Sequence, residues 1–398
     1  MHIPMLYRHK EGPVLMKKLL SLALALMMLA GTATAMANTV IDPDENRGIQ
    51  LAQAGLNEVE EGVSPTTGRV LAELDTPDGF AGLAVTGRYM PMLVQIDNTS
   101  GGVDRVAPWG ASYADIMYET PLYKTGVTRM SYLFSDEIPD SVGPVRSARM
   151  GHAWLREEWD AGFLFYGQQE YEDADVKTEL SRLGVNKKGL AFSGTVGENK
   201  PWKQYYSRRH GDGLAAPSNA DANVAGMYSL IDEGFVPPNH AFRFTDEVPQ
   251  GESVQEIRIK TGALDYGSNL IYDVDSNLYF RYMRHKNDVL VPYEDRDTGE
   301  QISFSNVIIQ FTEVLWPQGN APVALQVGRY YYDGKGDKVA CGNADIFMGG
   351  VHIKGYWQRE DMASRTVFYG EDGQEIELQR GKTLIVVADK DNWEISYQ

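Results

Sequence analysis

Gly143-Pro144-Val145-Arg146-Ser147-Ala148-Arg149 reads as the entry to a helix that continues through Trp154, Leu155 and Trp159. Proline suits the first helical position, where its missing N–H is no loss and its fixed φ fits the turn. Arg146 and Arg149 then fall three apart on one face of the first turn, where the positive end of the helix dipole disfavours cations. A negative partner is expected there. It is either an internal carboxylate or a bound anion cradled by free N–H groups and two guanidinium forks.

Outward from this stretch, the apolar run Met92-Leu93-Val94-Gln95-Ile96 ends in the turn-forming pair Asp97-Asn98. The pattern predicts a helix over 112–119, a strand over 127–134, a buried strand over 162–166 and a closing helix over 220–232. Strands alternating with helices imply an α/β core. Val236-Pro237-Pro238-Asn239 then stops the last helix and marks a boundary between two independently folding units. Beyond it, short runs rich in Val, Ile, Tyr and Phe are separated by turn signals at Asp265-Tyr266-Gly267, Asp333-Gly334, Gly349-Gly350 and Asp372-Gly373. The clearest strands are 304–311, 323–332 and 383–387, and Asp273 to Asn277 reads as a hairpin turn.

The amino terminus has the tripartite pattern of a secretory signal. Lys17 and Lys18 precede an apolar run over 19–30, and small residues lead to a cleavage site after Ala37, with residues 1–15 as an upstream extension. The apolar run is too short to span a bilayer, so the mature chain is expected to lack a transmembrane segment and to start near Asn38. Residues 38–85, acidic and poor in apolar side chains, read as a disordered tether. The expected organisation is therefore a signal segment (1–37), a tether (38–85), an amino-terminal α/β domain (86–238) and a β-rich, antiparallel carboxy-terminal domain (239–398), an α+β protein overall.

The formal charge is −18. Removing residues 1–37 takes away four cations (Arg8, Lys10, Lys17, Lys18) and one acid (Glu11), leaving −21. Such a chain repels nucleic acid. The single cysteine, Cys341, rules out an intramolecular disulfide and a thiolate metal cluster. His152, His210, His240, His285 and His352 are dispersed without a His-Glu-x-x-His pair, and no nucleotide-binding loop, Gly-x-Ser-x-Gly elbow or Ser-x-x-Lys motif is present. No metal site and no cofactor is expected.

The remaining polar set is Asp97, Asn98, Glu119, Arg129, Arg146, Ser147 and Arg149. These residues fall at predicted strand ends and at a helix start, the edges where α/β sheets place ligands. Two readings stay open for them. One is a structural ion-pair network in which Asp97 or Glu119 satisfies the arginines; the other is a pocket for a small anion or a cell-wall glycan. A third possibility of another class is a wall-acting hydrolase with Glu119 or Asp97 as general acid or base. Ser147 has no histidine or lysine at an activating spacing, and His152 reads as a helix-surface residue. Trp109, Trp154, Trp159, Trp202, Tyr205 and Tyr206 offer either core or sugar-stacking surface.

Asp115-Ile116-Met117-Tyr118-Glu119, Gly126-Val127-Thr128-Arg129 and the 143–149 stretch together resemble the signature blocks of the YerB-like family of bacterial envelope proteins. The likeness continues at Asn306-Val307-Ile308-Ile309-Gln310, Gly355-Tyr356-Trp357, Asp372-Gly373-Gln374-Glu375-Ile376 and Gly381-Lys382-Thr383, spanning roughly residues 86–390. Many members are lipoproteins of no established biochemical function. The resemblance implies a two-domain extracytoplasmic protein, secreted or held in the periplasmic or wall space, with envelope proteins as conceivable partners. Leu29-Ala30-Gly31 is followed by Thr32 where a lipid-modified cysteine would stand, and Ser218 occupies the place of a histidine expected in a Pro-His-Asn block.

Overall fold

A computed structural model describes residues 38–41, 48–51, 55–98, 107–171, 174–197, 199–211, 213–262, 267–284, 289–315, 324–325, 329–332 and 338–398. The signal segment and the turns at Asp265-Tyr266 and Asp333-Gly334 lie outside them.

Two sheets dominate. The main strands of the first half are β1 (Met92–Ile96), β2 (Ile116–Pro121), β3 (Thr128–Phe134), β4 (Gly162–Phe165) and β5 (Ala191–Ser193), with helices α1 (Met150–Trp159), α2 (Val176–Arg182) and α3 (Val224–Tyr228) among others. The second half supplies β6 (Glu256–Lys260), β7 (Ser268–Asp273), β8 (Leu278–Arg284), β9 (Asn306–Thr312), β10 (Lys338–Met348), β11 (Val351–Arg359), β12 (Thr383–Asp389) and β13 (Glu394–Tyr397).

Strands of both halves share the larger sheet, whose order runs β11-β10-β9-β12-β2-β3-β1-β4-β5 among the described residues. The seam between the halves is the parallel pairing of β12 with β2, in register from Thr383↔Ile116 to Val386↔Glu119. β9 also pairs β12 in parallel, β1 pairs β4 and β4 pairs β5 likewise, and β3 runs against its neighbours β2 and β1. The smaller sheet, β8-β7-β6-β13 with short flanking strands, is antiparallel throughout.

Burial follows this division. β1, β2 and β3 are buried at every position, as strands covered on both faces must be, whereas β8 alternates, burying Tyr279, Arg281 and Met283. One hydrophobic core carries Leu93, Leu133, Trp159 and Leu164 together with Ile257, Tyr279, Val307 and Val386.

Several expectations are corrected. The break at 236–245 does not separate a pair of cores, because β12 and β9 complete the sheet begun by β1–β5 and residues 38–398 form one unit. The carboxy-terminal half is not purely antiparallel, since β9 and β12 pair in parallel. The helix expected over 112–119 is a one-turn 3-10 helix, Ala111–Tyr113, followed by strand β2. The closing helix over 220–232 shrinks to α3, preceded by a strand Ala220–Ala222.

The acidic tether is also corrected where it is described. Ser64, Thr66 and Thr67 are buried, and Ser64 and Thr67 satisfy a carboxylate that apolar patterning does not reveal. Ser64 Oγ and Thr67 Oγ1 donate to the two oxygens of buried Asp136 at 2.6 and 2.7 Å. The Asp273 to Asn277 hairpin is present, joining β7 to β8 with Asn277 at φ 58°.

Beside Asp136 lies Asp115, also fully buried, whose Oδ2 accepts from Ser135 Oγ at 2.7 Å and from the Asp136 N–H at 3.0 Å while its Oδ1 has no partner. Burial first, and then the Asp136 charge, push Asp115 well above the ordinary carboxylate value of 3.8, against the smaller opposing effects of Arg69 and Ser135. The native state then holds this proton more tightly than the unfolded chain. Stability from this group is therefore full below the ordinary value and falls as pH rises through the native one. Urea unfolding of Asp115→Asn from about pH 4 to about pH 7 should show a flatter loss of stability than wild type. An unchanged slope would place the effect elsewhere.

Candidate functional site

The 143–149 stretch is extended rather than helical. Asp97 and Arg146 N–H groups bond to Pro144 and Gln95 carbonyls, and Tyr166 N–H bonds to the Arg146 carbonyl, so the segment is laid between β1 and the end of β4. The residue before a proline is biased to extended backbone, and Val145 and Ala148 beyond it are both fully buried. Arg146 therefore does not sit in a helical first turn, and the dipole argument does not apply to it. Arg149 caps α1, giving its N–H to Nδ1 of His152 at 3.0 Å.

Parallel strands bring the ends of β1, β2 and β4 to one edge of the sheet, and antiparallel β3 begins at that edge. Asp97 follows β1, Glu119 lies near the end of β2, Arg129 near the start of β3 and Tyr166 just after β4. Asp97, 4 % exposed, binds Arg129 through Oδ1 and Arg146 through Oδ2, both at 3.2 Å. Ser218 Oγ also donates to Asp97. Arg129 is 2 % exposed and Arg146 22 %.

Arg149 stands in the same charge field without a carboxylate of its own among the described residues. Its NH1 donates to Ala148 O at 2.9 Å, its Nε is buried without a partner, and Tyr123 lies beside it. Arg129 Nε is likewise buried and unpartnered. Burial, against the opposing pull of Asp97, and then the charges of Arg149 and Arg146 press the Arg129 pKa down to about 9. It keeps its charge at neutral pH.

His152, read from sequence as a surface residue, is 1 % exposed. Burial and the charges of Arg129 and Arg149 hold its pKa well below the usual value, so the ring is neutral. With Nδ1 accepting from Arg149, Nε2 carries the proton and donates to Thr120 Oγ1 at 3.0 Å. The arrangement with Arg149 is that of a capping box, although Arg149 and His152 are not the residue types that mark one in a sequence.

Asn98 and Glu119 belong to an adjoining network. Glu119 Oε1 accepts from Thr128 Oγ1 at 2.9 Å and Asn98 Nδ2 at 3.3 Å, and its Oε2 accepts from Arg281 at 2.8 Å. Glu119 and Arg281 are both 0 % exposed, so this ion pair bolts β8 of the smaller sheet to β2 of the larger. Arg281, out of reach of sequence reasoning, has no signal beyond an arginine at an inward position of an alternating strand. Ser147 turns its hydroxyl to the Tyr166 carbonyl at 3.3 Å.

Of the seven expected residues, the structure thus joins Asp97, Arg129 and Arg146, places Arg149 in their charge field without a bond to them, puts Asn98 and Glu119 in an adjoining network, and leaves Ser147 bonded to backbone. Of the aromatic residues, Trp109 and Trp159 are core, and the half-exposed Trp202, Tyr205 and Tyr206 lie in the 3-10 helix Pro201–Tyr205 and the strand Tyr206–Arg208 beyond β5. Groups of His, Cys, Asp and Glu fit to hold a metal are absent among the described residues.

A protein with an amino-terminal and a carboxy-terminal module joined through one sheet is what this architecture and its ordered sequence blocks define. The models for the N-terminal and C-terminal domains of DUF3048, a protein of unknown function, match residues 80–222 and 257–385, and the chain belongs to this family. The two family domains contribute to one sheet here. A relative from Bacillus subtilis (strain 168), described as "Putative lipoprotein YerB", is 27% identical over 296 residues, 72% of this chain and 78% of its own. The crystal structure of YerB protein from Bacillus subtilis has a TM-score of 0.61 at 21% identity, covering 84% of this chain and 99% of that one. It shares the fold.

Proposed function

We propose that this chain is an extracytoplasmic binding module that accepts an anionic ligand at Arg129, Arg146 and Arg149. The observation that carries the reading is charge: Arg129 and Arg146 bind one carboxylate, Asp97, and Arg149 adds a third guanidinium to their field, in a chain with 55 acidic residues and a net charge of −18. Cations left unopposed at a buried edge are unfavourable unless an anion completes them, and a guanidinium with a free Nε offers a charge-assisted donor. The start of α1 adds unbonded N–H groups and carries no acid in its first turn. The lipoprotein description of the Bacillus relative supports placement outside the cytoplasm.

The hydrolase alternative draws no support from the geometry. Glu119 is held by Arg281, Thr128 and Asn98, and Asp97 by two arginines and Ser218, so neither carboxylate faces an open cleft.

Thermal unfolding in phosphate against chloride at matched ionic strength tests the reading. A ligand at a hundredfold excess over its Kd stabilises by about 2.7 kcal/mol. Wild type should gain a melting shift of that order, and Arg149→Ala should lose the shift while its melting temperature in chloride stays close to wild type. Equal shifts in both proteins would remove Arg149 from the site.

A further inference from the structure

Tyr166 links the three arginines to a second group of cations. Its backbone N–H bonds to Arg146, while its ring lies under Arg208 Cζ at 4.8 Å and Lys203 Nζ at 5.8 Å. Arg208 donates to Asn219 Oδ1 at 2.7 Å, and Asn219 follows Ser218, the residue that bonds Asp97. Lys203 donates to the Gly194 carbonyl at 2.7 Å. Neither cation meets a carboxylate among the described residues; each has a neutral acceptor and the negative face of the tyrosine ring. Of these five cations, Arg129 and Arg146 pair with Asp97, and Arg149, Lys203 and Arg208 show no carboxylate partner among the described residues, a surplus of four positive charges over that one acid.

A phosphate monoester carries about −1.5 to −2 at neutral pH, so one small anion leaves roughly half of that surplus unopposed. A chain of anions supplies the rest by placing successive charges on successive cations. We infer that the site extends past Tyr166 onto Lys203 and Arg208, and that its ligand is a linear polymer of phosphodiesters. The inference rests on the anion-binding reading above. A tetrahedral phosphoryl group presents acceptor oxygens out of a single plane, as suits donors that converge from Arg146, Arg149 and the start of α1. Tyr166 and Trp202, half-exposed beside the cations, offer apolar surface to the carbon links between phosphates.

Calorimetric titration of the full chain with glycerol phosphate and with poly(glycerol phosphate), compared per mole of phosphate, tests the inference. The polymer should half-saturate the protein at about a tenfold lower phosphate concentration than the monomer, with a steeper salt dependence. Replacing both Lys203→Gln and Arg208→Gln should bring the polymer back to the monomer's affinity and leave monomer binding unchanged; both side chains are half-exposed, and circular dichroism of the double variant verifies its fold. Equal affinity of polymer and monomer would overturn the extended site and leave the anion reading standing. Binding of neither would overturn both. Tighter binding of inorganic polyphosphate or of polyglutamate than of poly(glycerol phosphate) would overturn the phosphodiester assignment.

Discussion

Replacement of Arg281 by methionine is expected to destabilise the protein by about 3–5 kcal/mol, because it strands a fully buried carboxylate without its cation. Glu119 would keep Thr128 and Asn98 as donors, neither of which carries a charge. The loss should be felt by the whole chain at once, since Arg281 belongs to the smaller sheet and Glu119 to the larger. Urea unfolding followed by tryptophan fluorescence and by far-ultraviolet circular dichroism should give one coincident transition, displaced to lower urea. Pairing Arg281→Met with Glu119→Gln should recover much of the loss, because a neutral amide tolerates the site better than an unpaired charge. Two separate transitions would reinstate a pair of independent domains. A single variant within about 1 kcal/mol of wild type would reduce the ion pair to a surface-like contribution.

Asp97→Ala should be damaging for the converse reason. Arg129 would lose its carboxylate in a buried setting, a loss of about 3–5 kcal/mol. Here the site adds a signature that a purely structural ion pair lacks: phosphate supplies a replacement negative charge, so it should raise the melting temperature of Asp97→Ala more than that of wild type. Equal or smaller rescue would show that Asp97 serves the fold and that no anion reaches Arg129.

The sequence made some of this legible and hid the rest for identifiable reasons. The strands at residues 128–134 and 162–165 and the hairpin at Asn277 announced themselves through apolar runs bounded by turn residues. Ile116-Met117-Tyr118-Glu119 did not, because a strand covered on both faces has no alternation and is indistinguishable by period from a short buried helix. Gly143-Pro144 was ambiguous in kind: proline favours a helix start and also favours an extended residue before it, and the segment takes the extended form, hydrogen-bonded along the end of β1. The boundary at Val236-Pro237-Pro238 was a real change of pattern, yet pattern is local and the pairing of β12 with β2 joins residues far apart in the chain.

At the site, residue types were readable while partners were not. The arginine cluster and Asp97 follow from polar residues collected at strand ends, a placement the parallel strands produce. Arg281 arrives from another sheet, and the hydroxyls of Ser64 and Thr67 come from a segment whose acidic composition masked its packing.

The central claim, an anion completing the arginine cluster, is tested most directly by a crystal structure of the protein grown in phosphate. The account predicts phosphate density bridging the guanidinium groups of Arg146 and Arg149 next to the start of α1, absent from crystals of Arg149→Ala grown in the same solution. Clear density for both side chains with no anion between them at saturating phosphate would contradict it, and would leave Asp97 and its arginines as a structural ion pair alone.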